Sequence, residues 1–107
     1  MTALPPLYAI ADAAFGDPVR IAQALFRGGA RLVQLRNKQA SARELLVQVE
    51  AIQSVAPPDA RIIVNDRADV AIIAKAAGVH LGQTDMPVAS VRQIAGPAFI
   101  IGVSTHN

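Results

Sequence analysis

The feature that most constrains this chain is an alternation that runs along its length. Five short aliphatic runs are separated by segments with helical spacing. The runs are LYAIAD (Leu7 to Asp12), RLVQLR (Arg31 to Arg36), RIIVND (Arg61 to Asp66), GVHLG (Gly78 to Gly82) and FIIGVS (Phe99 to Ser104). Each reads as a strand, rich in β-branched or other aliphatic side chains and bounded by turn residues. Between them, Pro18 to Phe26 places Val19, Ala22 and Phe26 on one helical face, and Pro18 suits a first turn. Ala42 to Val55 does the same with Leu45, Val49 and Ile52, behind a Ser41–Glu44 capping-box pattern. Helices are also expected over Ala68 to Ala77, stopped by Gly78, and over Pro87 to Ala95, stopped by Gly96-Pro97.

Strand and helix alternating in this way predict βαβ units, and with them a parallel α/β sheet. The runs are apolar on both faces, as expected when helices cover a sheet. One domain over residues 1–107 accounts for the length, and it buries roughly two thirds of its extended-chain surface. With three Phe, one Tyr and no Trp, its core must be aliphatic.

Several function classes drop out. Cysteine is absent, which removes disulfides, thiol catalysis and thiolate zinc sites. Net charge is only +2, with no dense Lys/Arg cluster, so no nucleic-acid partner is expected. The longest apolar stretch, from Ala68 to Val79, is broken by Lys75 and is too short to span a bilayer. MTALPPLYAI has neither a basic start nor a long apolar run, so the expectation is a soluble, cytoplasmic protein without membrane partners. The glycine patterns of dinucleotide folds, P-loops and nucleophile elbows are missing from the sequence.

Polar residues gather at the strand ends, where parallel α/β sheets carry their sites. At period two, Gln34, Arg36 and Lys38 share a face of the second strand. This is either the wet face of an antiparallel sheet or, in a covered sheet, a set of charges that needs partners. An anion supplies such partners, because Arg36 offers a planar fork and Lys38 a point charge. The third strand ends in Asn65-Asp66 and the fourth run is followed by Gln83-Thr84-Asp85. Either acid can cap the helix that follows it. Taken together, two carboxylates on strands about 4.8 Å apart, beside basic residues, fit a Mg²⁺–pyrophosphate site better than two independent caps. After the fifth strand, Ser104 and Thr105 offer hydroxyls; His80 should point away from Val79 and Leu81, and the role of His106 is open.

VQLRNK, IIVNDRADVA, GVHLGQTDMP and IIGVSTHN, in this order, closely resemble thiamine phosphate synthase, with LYAIAD matching that family's opening strand except for Ala11, where Thr is common. The resemblance covers nearly the whole chain. It implies the N-terminal half of a (β/α)₈ barrel, which truncates here after about the fifth strand. The implied reaction joins hydroxymethylpyrimidine pyrophosphate to thiazole phosphate, giving thiamine phosphate and pyrophosphate. By resemblance, Gln34, Arg36, Lys38, Asn65 and Ser104 hold the pyrimidine pyrophosphate, Arg36 and Lys38 stabilise the leaving group, and Asp66 and Asp85 carry Mg²⁺.

The sister thiazole tautomerases, in which His106 would act as acid–base, and a non-catalytic ligand-binding fragment are the alternatives. Such barrels typically run to about 250 residues. Longer chain, self-association over the open half, or an inactive relative each account for the difference. Residues 1–107 as an isolated monomer are expected to show little or no turnover.

Overall fold

The computed structural model describes residues 8–104. Five parallel strands form one sheet, β1 (Tyr8–Asp12), β2 (Leu32–Arg36), β3 (Arg61–Asn65), β4 (Gly78–Leu81) and β5 (Ile100–Val103), in sequential order. Four helices connect them: α1 (Pro18–Arg27), α2 (Ala42–Val55), α3 (Ala68–Ile73) and α4 (Val88–Ala95), with a 3₁₀ turn at Ala13–Phe15 before α1. Among the described residues, no helix is long and apolar enough to cross a membrane.

Local chemistry explains where most elements start. The Asp17 carboxylate accepts the Val19 N–H at 3.0 Å, and Pro18 takes the first helical position, where its missing N–H costs nothing. The α2 capping box forms in full: the Ser41 hydroxyl accepts from Glu44 N at 3.1 Å, and the Glu44 carboxylate accepts from Ser41 N at 2.9 Å. Leu45, Val49 and Ile52 then point into the core, as their spacing predicts.

Two expectations are corrected. Helix α3 ends at Ile73, four residues short of Ala77. Lys75 adopts a left-handed φ of 55° and Ala76 N–H returns to the Ala71 carbonyl at 2.9 Å, which turns the chain into β4. Gly78 is therefore no helix stop but the first residue of β4. A Cβ there would strike the Ile100 carbonyl and lie 2.6 Å from the Ile100 Cβ, so glycine is required by the close approach of β5.

Nor do helices cover both faces. Alternate strand residues Ala11, Val33, Leu35, Ile62, Val64, Val79 and Leu81 join helix residues such as Phe26, Val49, Ala71 and Val91 in one aliphatic core. The register places the other set, Tyr8, Ile10, Gln34, Ile63, Asn65, His80 and Gly102, on the opposite face. There Tyr8 and Ile10 are half exposed, while Gln34, Ile63 and Asn65 are buried nearer the middle of the sheet. A sequential strand order with helices on one side is the singly wound pattern of a (β/α)₈ barrel; a doubly wound sheet reverses its strand order. The open face is the inner face of that pattern.

Candidate functional site at the strand ends

The C-terminal ends of the strands and the turns that follow them bring polar residues to one end of the sheet. On the inner face, Gln34 Nε2 donates to the Tyr8 hydroxyl at 2.6 Å, and Asn65 Nδ2 donates to Gln34 Oε1 at 2.9 Å. This chain crosses three strands and satisfies the buried polar residues Gln34 and Asn65. Arg36, opposite Asp12 in the register, lies with Nε 3.5 Å from Asp12 Oδ2. His80, opposite Asn65 and Gly102, has Nε2 2.6 Å from the Ser104 hydroxyl. The His80 side chain does lie away from Val79 and Leu81, which are buried in the helix-side core.

Lys38 arrives by a different route from the one its spacing suggests. Strand β2 ends at Arg36, and Lys38 stands in the turn beyond it. Asn37 builds that turn: its Oδ1 accepts from Gln39 N at 3.2 Å and its Nδ2 donates to Gln48 Oε1 on α2 at 3.1 Å. Lys38 Nζ thereby reaches Asp66 Oδ2 at 2.7 Å.

Neither acid serves as a helix cap. Asp66 sits at φ 68°, a conformation Asp tolerates better than most residues, and its N–H donates to the His80 carbonyl at 2.7 Å. The capping position of α3 falls to Arg67, which makes no side-chain cap bond. Arg67 instead closes onto Asp69, at 3.1 Å through Nε and 2.7 Å through Nη2. At α4 the capping position is Pro87, again without a side-chain bond, and Asp85 Oδ2 accepts the Gly82 N–H at 2.6 Å.

The two carboxylates approach each other over Gly82. A Cβ on Gly82 would lie 3.2 Å from Asp85 Oδ2 and 3.9 Å from Asp66 Oδ1, so a side chain there would fill the space between them. Burial acts to raise the Asp66 pKa. Hydrogen bonding with Lys38 and Asp85, and the charges of Lys38 and Arg36, outweigh it and hold the group below its ordinary value. Asp66 is therefore an anion at neutral pH. Among the described residues no cluster of three or more His, Cys, Asp or Glu side chains is formed. The donor set here is one pair of carboxylates, which suits Mg²⁺, an ion that takes one or two carboxylates and completes its shell with water and phosphate oxygens.

A cavity of about 290 Å³ opens beside this cluster, lined by Asp12, Ala14, Arg36, Asn37 and Lys38. A larger one, about 590 Å³, lies at the opposite end of the strands, with Gln53, Asp59, Arg61 and Lys75 in its wall, and shares no residue with the cluster.

The structure thus brings Gln34, Arg36, Lys38, Asn65, Asp66 and Asp85 to one end of the sheet, with Ser104 reaching it through His80. Sequence reasoning missed Tyr8 and Asp12. Period two puts both on one face of β1, but only the register sets that face beside Gln34 and Arg36. Thr105 and His106 lie outside the described residues.

Comparison with known proteins adds an independent line. A family model described as thiamine monophosphate synthase matches residues 7–107. The thiamine-phosphate synthase of Koribacter versatilis (strain Ellin345) is 45% identical over 111 aligned residues, covering 97% of this chain and 53% of that protein. That of Chlorobium luteolum is 49% identical over 92 residues, covering 85% and 43% respectively. Among solved structures, the thiamine phosphate pyrophosphorylase from Pyrococcus furiosus superposes with a TM-score of 0.86 at 36% identity, covering 94% of this chain and 50% of that one. The chain spans about half the length of the curated relatives it matches.

Proposed function

The chain belongs to the thiamine monophosphate synthase family, and on that premise we propose that its strand ends form the pyrophosphate-binding part of a thiamine phosphate synthase site. The substrates on this reading are hydroxymethylpyrimidine pyrophosphate and thiazole phosphate; the products are thiamine phosphate and pyrophosphate. One observation carries the reading. Two cations, Arg36 and Lys38, and two carboxylates released from capping duty, Asp66 and Asp85, meet at neighbouring strand ends.

Each residue has a role that its chemistry allows. The Arg36 guanidinium and Lys38 ammonium face the charge that grows on the departing pyrophosphate, in a site pre-arranged for it. Gln34 and Asn65 hold the pyrimidine on the inner face, and Ser104 donates to the same substrate from just beyond β5. Asp66 and Asp85 are the residues that would hold Mg²⁺, and the ion would supply positive charge to the pyrophosphate. Lys38 is paired with Asp66, so a phosphate that drew Lys38 away would leave the Asp66 carboxylate available as a ligand. The pyrimidine carbon left electron-poor is then attacked by the thiazole nitrogen, a step that needs little general-base help. The same reading places the protein in the cytoplasm, with its inner face covered by further chain or by a second copy.

Calorimetry with hydroxymethylpyrimidine pyrophosphate, with and without Mg²⁺, tests this. Binding is expected to depend on Mg²⁺ and to be lost in both Asp66→Ala and Asp85→Ala. Metal-independent binding, or full binding by either folded variant, would refute the assignment.

A further inference from the structure

We propose that Asp12 is the positioning residue for Arg36, drawing the Nε edge of the guanidinium towards itself by charge so that its outer fork is presented to an anionic ligand. The proposal rests on the anion site described above and adds to it a residue that acts through Arg36.

Both oxygens of Asp12 are engaged, and they do different things. Oδ1 accepts the Ala14 N–H at 2.9 Å, closing the turn that follows β1. That bond fixes the carboxylate plane to the backbone. Oδ2 then lies 3.5 Å from Arg36 Nε. The register sets Asp12 directly opposite Arg36, so the contact joins two strand ends whose separation is fixed by the sheet ladder. A carboxylate free to rotate would follow the arginine; one tied to Ala14 makes the arginine conform to it.

How Arg36 is held matters as much as that it is held. Arg31 pairs with Asp59 through Nε and also donates through Nη1 to the Phe26 and Ala30 carbonyls. Arg67 meets Asp69 through Nε and Nη2. Arg36 comes nearest to Asp12 through Nε, and its Nη atoms make no hydrogen bond among the described residues. Two neighbouring guanidinium N–H groups bind phosphate oxygens in parallel, and the Nη pair is left for that. Asp12 and Arg36 share the wall of the 290 Å³ cavity with Lys38, which places the unengaged fork beside the second cation.

An arginine that is 42% exposed would otherwise sample many rotamers. Immobilising it on binding weakens affinity, and immobilising it beforehand removes that cost. Orientation and charge therefore make opposite predictions. As a bare negative charge near the site, Asp12 repels an anion, and its neutralisation tightens binding. As a positioning group, its neutralisation weakens binding even though the site becomes more positive.

Calorimetric titration with inorganic pyrophosphate in the presence of Mg²⁺ separates the two. The proteins are the unsubstituted chain, Asp12→Asn, Arg36→Ala and the double variant, each checked by thermal melting. Asparagine keeps an oxygen for the Ala14 N–H, so the turn survives. Asp12→Asn is expected to weaken binding about tenfold, Arg36→Ala to weaken it more, and the double variant to match Arg36→Ala alone. Tighter or unchanged binding by Asp12→Asn overturns the proposal. So does an equal loss with and without Arg36, because Asp12 would then act through the fold. If Arg36→Ala itself binds normally, the anion site is misplaced and the inference falls with it. If Arg36→Ala loses binding while Asp12→Asn does not, the site stands and only the positioning role fails.

Discussion

Lys38 and Asp66 are the two side chains whose pairing most directly couples the fold to the proposed chemistry. The folded Asp66 carboxyl titrates below its ordinary value. Its contribution to stability is therefore present above the unfolded pKa, near 3.8, and is lost as pH falls through the lower folded value. The pair is partly exposed, with Lys38 53% accessible, so the effect amounts to at most about 1 kcal/mol. Lys38→Met is expected to flatten part of the fall in melting temperature on acidification below about pH 4; an unchanged acid profile would mean that the pair adds nothing to stability. The same variant leaves Asp66 Oδ2 without its cation. It should bind pyrophosphate more weakly yet bind Mg²⁺ alone more tightly, and weaker binding of both would show that Lys38 does not compete with the metal. At this scale the identities of the charged residues were legible, but their partners were not. Asp66 reads locally as a cap for α3. It becomes a ligand candidate only because its backbone takes a left-handed turn and Lys38, 28 positions away, comes to meet it.

Among elements, agreement between reading and structure follows how local the signal is. Helix α2 has the bounds its pattern gives because a capping box and an apolar stripe act within a few residues. Ser41→Ala is expected to lower stability by about 1 kcal/mol in a denaturant melt, without changing pyrophosphate affinity, since the cap lies outside the proposed site. Helix α3 is shorter than its pattern because Lys75 and Ala76 must turn the chain into β4, a demand set by the sheet and invisible to local spacing. Gly78 shows the same thing from the other side. Its neighbour is the backbone and Cβ of Ile100 on β5, which have little room to move. Gly78→Ala is expected to cost about 3 kcal/mol; a melt within experimental error of the unsubstituted chain would show that β5 can yield.

For the molecule as a whole, the sheet has one face sealed by helices and one open. Half-exposed Tyr8 and Ile10 on the open face, with β1 and β5 at the two edges of the sheet among the described residues, make up a surface that is covered in a closed barrel. The 107-residue chain, held as a verified monomer, is expected to give little or no thiamine phosphate from the two substrates. Robust turnover by that monomer would show that these five strands suffice for both substrates. The sequence by itself determined the number and order of the elements, the aliphatic character of the core, and the polar residues that end each strand. Those properties are set by periods of 2 and 3.6 residues and by caps, which act over a turn or less. Only the tertiary structure decided that all four helices share one face, that Asp66 and Asp85 turn towards each other over Gly82, and that Asp12 and Tyr8 belong to the site. These depend on the register between strands that are far apart in the chain, which is fixed when the crossover helices pack on the sheet.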